Sequence, residues 1–201
     1  MSVTSNTRVV DPRPARTRAA IYAAVRRLVT VDGAEITVNA IATEAGVSRT
    51  SFYAQFADLD ALAVSMLVDA FRDIGHEDIT ARQNNRATRR DLAQASSRRL
   101  VQHIAGRRPF YRASLDWKLT SRVHETVIEA YADQVLAVIA VDPPILPADL
   151  DPGDAARFVA GGVLAVLTTW LRDEGHDWGS DHHVLADRLV SAMPPWLTES
   201  S

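Results

Sequence analysis

The chain has 201 residues, 47% of them apolar, with 22 lysines and arginines against 25 acidic residues and a formal net charge of −3. That composition is ample for a buried core, and without an overall basic charge any nucleic-acid surface has to be local. The absence of cysteine excludes disulfides, thiolate chemistry and cysteine-ligated zinc.

Met1 to Val10 is polar and lacks the apolar core of a signal peptide. No run of about eighteen apolar residues offers itself as a membrane span, so a soluble, cytosolic protein with no membrane partner is expected.

Residues 1–12 read as a flexible basic arm; Arg8, and Arg13, Arg16 and Arg18 just after the arm, are opposed only by Asp11, so positive charge is concentrated at the front of the chain. A first helix is predicted from about Pro14 to Val31, with Ile21, Ala24, Val25 and Leu28 on one face. Asp32-Gly33 closes it. Thr37 is a good N-cap for a second short helix, Gly46 fits a left-handed turn at its end, and Ser48 caps a third.

In the run TVNAIATEAGVSRTSFYAQF, Ile41, Ala42, Val47, Phe52 and Phe56 would point inward. Thr37, Ser48, Arg49, Thr50, Ser51 and Tyr53 would face out. That is the layout of a helix-turn-helix, whose second helix enters a DNA major groove.

Asp58 opens a fourth helix, apolar over a wide arc through Leu62, Ala63, Met66, Leu67, Ala70 and Phe71. Asn84-Asn85 marks a loop. Thr88-x-x-Asp91 reads as a capping box for a helix carrying Leu92, Ala95, Leu100 and Ile104. The arginines of this region (82, 86, 89, 90, 98, 99, 107 and 108) read as a solvated outer face. Gly106 stops that helix and Pro109 opens the next.

A long helix follows from Ser121 to Val141, broken by Pro143-Pro144-Ile145-Leu146-Pro147. Asp151-Pro152 restarts the chain as cap and first turn of a helix with a small, flat face. Gly161 and Gly162 within it point to close approach by another backbone. A last helix is predicted from about Asp181 to Met193, ended by Pro194-Pro195. No strand pattern and no internal repeat appear, so the fold class is all-α with about nine helices.

From Arg18 to Leu67, and above all in IATEAGVSRTSFYAQFADLDAL, the chain resembles the N-terminal domain of the TetR family of bacterial transcriptional regulators. The resemblance implies a helix-turn-helix domain over 13–57 and a helical ligand-binding and dimerisation domain over 58–201. It implies that Thr37 and Ser48 meet phosphates at helix N-termini and that Arg49 and Thr50 reach base edges. Tyr53 would hydrogen-bond a phosphate; Ser51, Arg16 and Arg18 complete the DNA-contacting set. Leu59 departs from the pattern, standing where the family usually has a phosphate-contacting lysine, which removes about one unit from the expected salt slope.

The same resemblance implies a homodimer in which the last two long helices pair with their twofold mates, through Gly161, Gly162, Ala165, Thr169, Leu185, Leu189 and Met193. It also implies a cavity for a small, largely apolar or aromatic ligand. Candidate lining residues are Phe71, Leu100, His103, Phe110, Tyr111, Trp117, Tyr131, Phe158 and Trp170.

No cofactor is implied. Glu174, His176, Asp177, Asp181, His182 and His183 bridge a glycine-containing turn and lack the spacing of a helical zinc site, so no metal is assigned. The expected function is a repressor released from a palindromic DNA operator by a ligand. One alternative is a DNA-binding regulator governed by a protein partner; an all-α enzyme is the other, although no nucleophile–base spacing or phosphate-binding glycine loop supports it.

Overall fold

Proline is favoured in the first turn of a helix because its missing N–H would have had no partner there. α1 (Arg13–Leu28) begins this way, with Pro14 in its first turn, and buries Ile21, Ala24 and Val25. The computed structural model describes residues 12–31, 35–84, 87–116, 121–173 and 182–199, and of 116, 121–123 and 182 the backbone alone. The basic arm, Asp32-Gly33, Asn85, Trp117 and the turn from Glu174 to Asp181 lie outside the described residues.

All described regular structure is helical. The chain divides into two compact units, Met1–Leu59 and Asp60–Ser201. In the first, α1 packs on α2 (Val38–Ala45) and α3 (Arg49–Tyr53). Ile21, Val25, Ile41 and Phe52 are fully buried and Phe56 nearly so, whereas Val47 is only half-buried. Phe56 stacks on Tyr22 at 6.0 Å between ring centres. Across the surface, the Arg27 guanidinium pairs with the Glu44 carboxylate and donates to the Glu44 carbonyl at 2.9 Å, fastening α1 to α2.

The second unit holds α4 (Leu59–Gln83), α5 (Arg89–Ala105), α6 (Arg108–Asp116), α7 (Ser121–Val141), α8 (Pro152–Arg172), α9 (His182–Ala192) and α10 (Pro195–Thr198), α4 contributing all but its first residue. α7 runs along α8, and α5 along α9. The predicted capping box is formed: the Thr88 side chain accepts from the Asp91 N–H, and the Asp91 carboxylate accepts from the Thr88 N–H. Asp151 caps α8 by accepting from the N–H groups of Gly153 and Asp154 at 2.8 and 3.2 Å.

Three sequence readings are corrected here. Gly106 ends α5 as expected, with φ −65°, but α6 starts one residue before Pro109. Past Pro194 the chain adds the single turn α10, which buries Leu197 and Thr198. The third concerns the arginines.

Arg82 and Arg89 are not solvated. The Arg82 side chain, 4% exposed, donates to Asp78 at 3.0 Å and to Asp142 at 2.7 Å, and Arg89 grips both oxygens of Asp142. This four-charge cluster ties the end of α4 to the start of α5 and the end of α7. Burial disfavours the Asp142 carboxylate, but the hydrogen bonds from Arg89 and Arg82 outweigh it and hold its pKa below the ordinary value. Arg108 lies over the Trp170 ring at 5.2 Å and donates to the Asp173 carbonyl at 2.8 Å, capping the C-terminal end of α8. Arg82, Arg89 and Arg108 are therefore structural, whereas Arg90 and Arg99 lie exposed as expected.

By length and composition α8 alone among the described helices could cross a bilayer, which the residue-by-residue reading did not pick out; half of that window is buried inside the unit. Small apolar residues raise its hydropathy without forming an unbroken greasy run.

Candidate functional site

The α2–α3 pair is set by its caps. Thr37 Oγ1 accepts from the Ala40 N–H at 3.2 Å and starts α2. Gly46 ends it with φ +66°, a left-handed conformation that costs a non-glycine residue roughly 1–2 kcal/mol. The Val47 N–H returns to the Ala42 carbonyl at 3.0 Å. Ser48 Oγ then accepts from the Ser51 N–H at 3.0 Å and starts α3.

With five residues, α3 is far too short to persist alone. Phe52, fully buried, and Phe56 anchor it to the unit, which leaves Arg49, Thr50 and Tyr53 exposed and Ser51 half-buried. Thr37, Ser48 and Arg16 are also exposed. Arg18 is half-buried, with its guanidinium 5.4 Å from the centres of both the Tyr22 and Phe56 rings. A charge at that point braces the aromatic pair through cation–π attraction. Leu59 is half-buried at the first turn of α4.

Among the described residues of the second unit, two small, partly open cavities run between the helices. One, of about 60 Å³, is lined by Phe71, Gly75, Asp78 and Arg82 of α4, Ser96 and Ser97 of α5, Tyr131, Gln134, Val135 and Val138 of α7, Val159 of α8, and by Met193 and Leu197. The other, of about 90 Å³, is lined by Ala63, Val64 and Leu67 of α4, Ile104, Tyr111, Ser114 and Leu115, His124 and Val127 of α7, and Leu164, Leu167, Thr168 and Leu171 of α8. Burial and then the charge of Asp78 push the Tyr131 phenol up to about 12.

That raised value stabilises the folded chain below the ordinary tyrosine pKa of about 10, and the contribution is lost as pH rises through about 12. A spectrophotometric titration should therefore show a last tyrosinate step near 12 that vanishes in Tyr131→Phe. A step unchanged by that substitution would assign the late titration elsewhere.

Of the predicted pocket residues, Phe71, Tyr131 and Tyr111 line these cavities. Leu100 and Phe110 are buried as plain core. His103 Nε2 shares a hydrogen bond with the Tyr111 hydroxyl at 2.9 Å, and Trp170 is buried beneath Arg108. Phe158 is 72% exposed and belongs to neither cavity, because it stands on the outer face of α8.

The predicted dimer residues also separate. Gly162, Ala165 and Thr169 share that exposed α8 face, with Gly161 half-exposed among them. Leu185 and Leu189 are 3% and 2% exposed, turned inward on the helix that runs along α5, and Met193 lines the smaller cavity. The apolar stripe of α9 is thus spent within its own chain, leaving Val184, Asp187, Arg188, Ser191 and Ala192 outward. No group of three or more metal-ligating side chains occurs among the described residues; of the acidic and histidine cluster around the 174–181 turn, only His183 has a described side chain.

No protein-family model matches the chain, and no curated protein matches it by sequence. Its structure is similar to that of Thermus thermophilus FadR, a TetR-family transcriptional repressor in complex with lauroyl-CoA. The TM-score is 0.66 at 16% identity, over 92% of this chain and 96% of that one. A putative TetR-family regulator from Mesorhizobium loti gives 0.49 at 18% identity, over 91% of this chain and 97% of that one. NalD of Pseudomonas aeruginosa, the secondary repressor of the MexAB-OprM multidrug efflux pump, gives 0.48 at 20%, over 89% and 97%. The likeness to FadR establishes the fold: a helix-turn-helix unit followed by a helical second unit.

Proposed function

We propose that this chain is a cytoplasmic, homodimeric transcriptional regulator that binds a palindromic DNA operator and is released from it by a small molecule held in the second unit. The observation that carries the reading is α3, presented by two capped turns with Arg49, Thr50 and Tyr53 exposed, on a fold shared with a repressor. Residues 13–57 act as the reader and 58–201 as the sensing and dimerising part. No catalytic step is assigned.

Arg49 is the direct reader, since a guanidinium pairs in two-pronged fashion with guanine. Thr37, Ser48 and Tyr53 donate hydroxyl hydrogens to phosphates and fix the register. Two heads must meet half-sites about 34–36 Å apart. The exposed α8 stripe supplies the surface that joins them, and Phe158 moves from the pocket to this face. The two cavities favour a ligand over a protein partner as the trigger. Both are smaller than the roughly 300 Å³ of an ordinary small-molecule site, so the occupied form is wider than this one.

Arg49→Ala is expected to relax preference at one operator position by about 1–3 kcal/mol, whereas Tyr53→Phe weakens binding to every sequence alike. Competition binding against single-base operator variants decides the matter, and uniform losses for Arg49→Ala would remove it as the reader.

A further inference from the structure

The two cavities follow one another along the same four helices. On α4 their linings pass from Leu67 to Phe71, and on α7 from Val127 to Tyr131, in each case one helical turn, about 6 Å. α5 and α8 run the opposite way: Ser97 and Val159 line the smaller cavity, Ile104 and Leu164 the larger. The order is the same on all four helices, so the cavities lie end to end. Phe71 and Tyr131, with ring centres 4.9 Å apart, stand at the junction on the side of the smaller cavity.

We propose that the cavities are two halves of one elongated site divided by the Phe71–Tyr131 pair, and that its ligand is an unbranched apolar molecule with an uncharged hydrogen-bonding head. This deepens the ligand-released reading and rests on it. Each cavity alone is below the roughly 150 Å³ that accepts a benzene-sized guest. Turning the Phe71 ring aside joins them.

The head group belongs in the smaller cavity, where a buried hydroxyl is left unmatched. Ser96 Oγ is buried there without a hydrogen-bond partner among the described residues, beside Gln134 and the Tyr131 phenol. Arg82 offers no free cation, since its three nitrogens already face Asp78 and Asp142. A carboxylate entering this end would add a charge to a balanced cluster and be desolvated without a counter-ion. A hydroxyl or carbonyl would complete Ser96 at no such cost. The larger cavity takes the tail: alanine, valine, leucine and isoleucine make up most of its wall beside Tyr111, Ser114, His124 and Thr168, and there Ser114 already donates to the Tyr111 carbonyl while the Tyr111 hydroxyl pairs with His103.

Calorimetric titration of the full chain with decanol, hexanol and decanoate tests this. Decanol should bind well over tenfold more tightly than hexanol, because the added methylenes are buried, and about tenfold or more tightly than decanoate. Phe71→Trp, which keeps the halves apart, should weaken decanol at least tenfold, because neither half alone holds the chain. Phe71→Leu, a milder change, should raise decanol affinity several-fold and keeps the test open if the tryptophan variant does not fold.

Decanol no better than hexanol, or indifferent to both substitutions, would overturn the joined site. Decanoate binding as well as decanol would overturn the uncharged head. Operator release is measured separately. Decanol that binds as described without releasing DNA supports the site and defeats ligand-released repression. A compound that releases DNA while its binding ignores both Phe71 variants sustains that repression and overturns the site.

Discussion

Leucine in place of Gly162 is expected to leave the chain folded, convert the dimer to monomers and weaken operator binding by about a hundredfold or more. Gly162 is exposed on α8, and a Cβ added there meets nothing within 4 Å. The substitution also removes the roughly 0.5–1 kcal/mol that glycine costs in a helix interior, so the isolated chain should melt no lower than before. A partner helix packed on this flat stripe at about 8–10 Å has no room for a leucine. Losing the second head forfeits an avidity of about 10²–10⁴. Light scattering alongside thermal melting separates the two effects; a Gly162→Leu protein that stays dimeric and binds its operator normally would place the interface elsewhere.

Asp142→Ala should be the most damaging single change to the second unit away from its apolar core. It leaves Arg89, 13% exposed, without its carboxylate and Arg82, 4% exposed, with Asp78 alone. Breaking a buried ion pair from one side costs about 3–5 kcal/mol. Asp142 keeps 29% of its side chain exposed, so a loss near the lower end, about 3 kcal/mol, is expected. Urea unfolding would show it as an earlier midpoint with an unchanged slope.

The same carboxylate predicts an acid limb. Its folded pKa is depressed, so its contribution is present above the ordinary carboxylate value of about 3.9 and lost as pH falls through the folded one. Asp142→Ala should flatten stability over that acid window. A loss below about 1 kcal/mol would mean water screens the cluster as it does surface pairs.

The helix-turn-helix was legible in the sequence because its instructions are local. Thr37, Gly46 and Ser48 fix two helix starts and a turn within a dozen residues, and the apolar spacing of Ile41, Phe52 and Phe56 does the rest. The second unit was legible as helices but not as partners. Periodicity shows that Leu185 and Leu189 share a face, yet not whose core receives it, and α5 of the same chain does. Phe158 looked like a pocket residue because aromatic side chains usually are buried, and only the phase of α8 against α7 turns it out.

Arg82 and Arg89 looked solvated because their shared carboxylate lies more than fifty residues away. Asp78–Arg82, four apart on one helix, was the one local sign that this end of the fold is charged and closed.

The five-residue α3 bears on how such a protein diverges. Its shape is borrowed from Phe52 and Phe56 beneath it; Arg49 and Thr50 are exposed, and Tyr53 touches the core only through the edge of the Phe52 ring. On the proposed function, substitutions at Arg49 and Thr50 would change which DNA is preferred at little thermodynamic risk, usually within about 0.5 kcal/mol for exposed sites. A duplicated copy could thus acquire a new operator through surface changes alone, while the framework that presents them stays as it is.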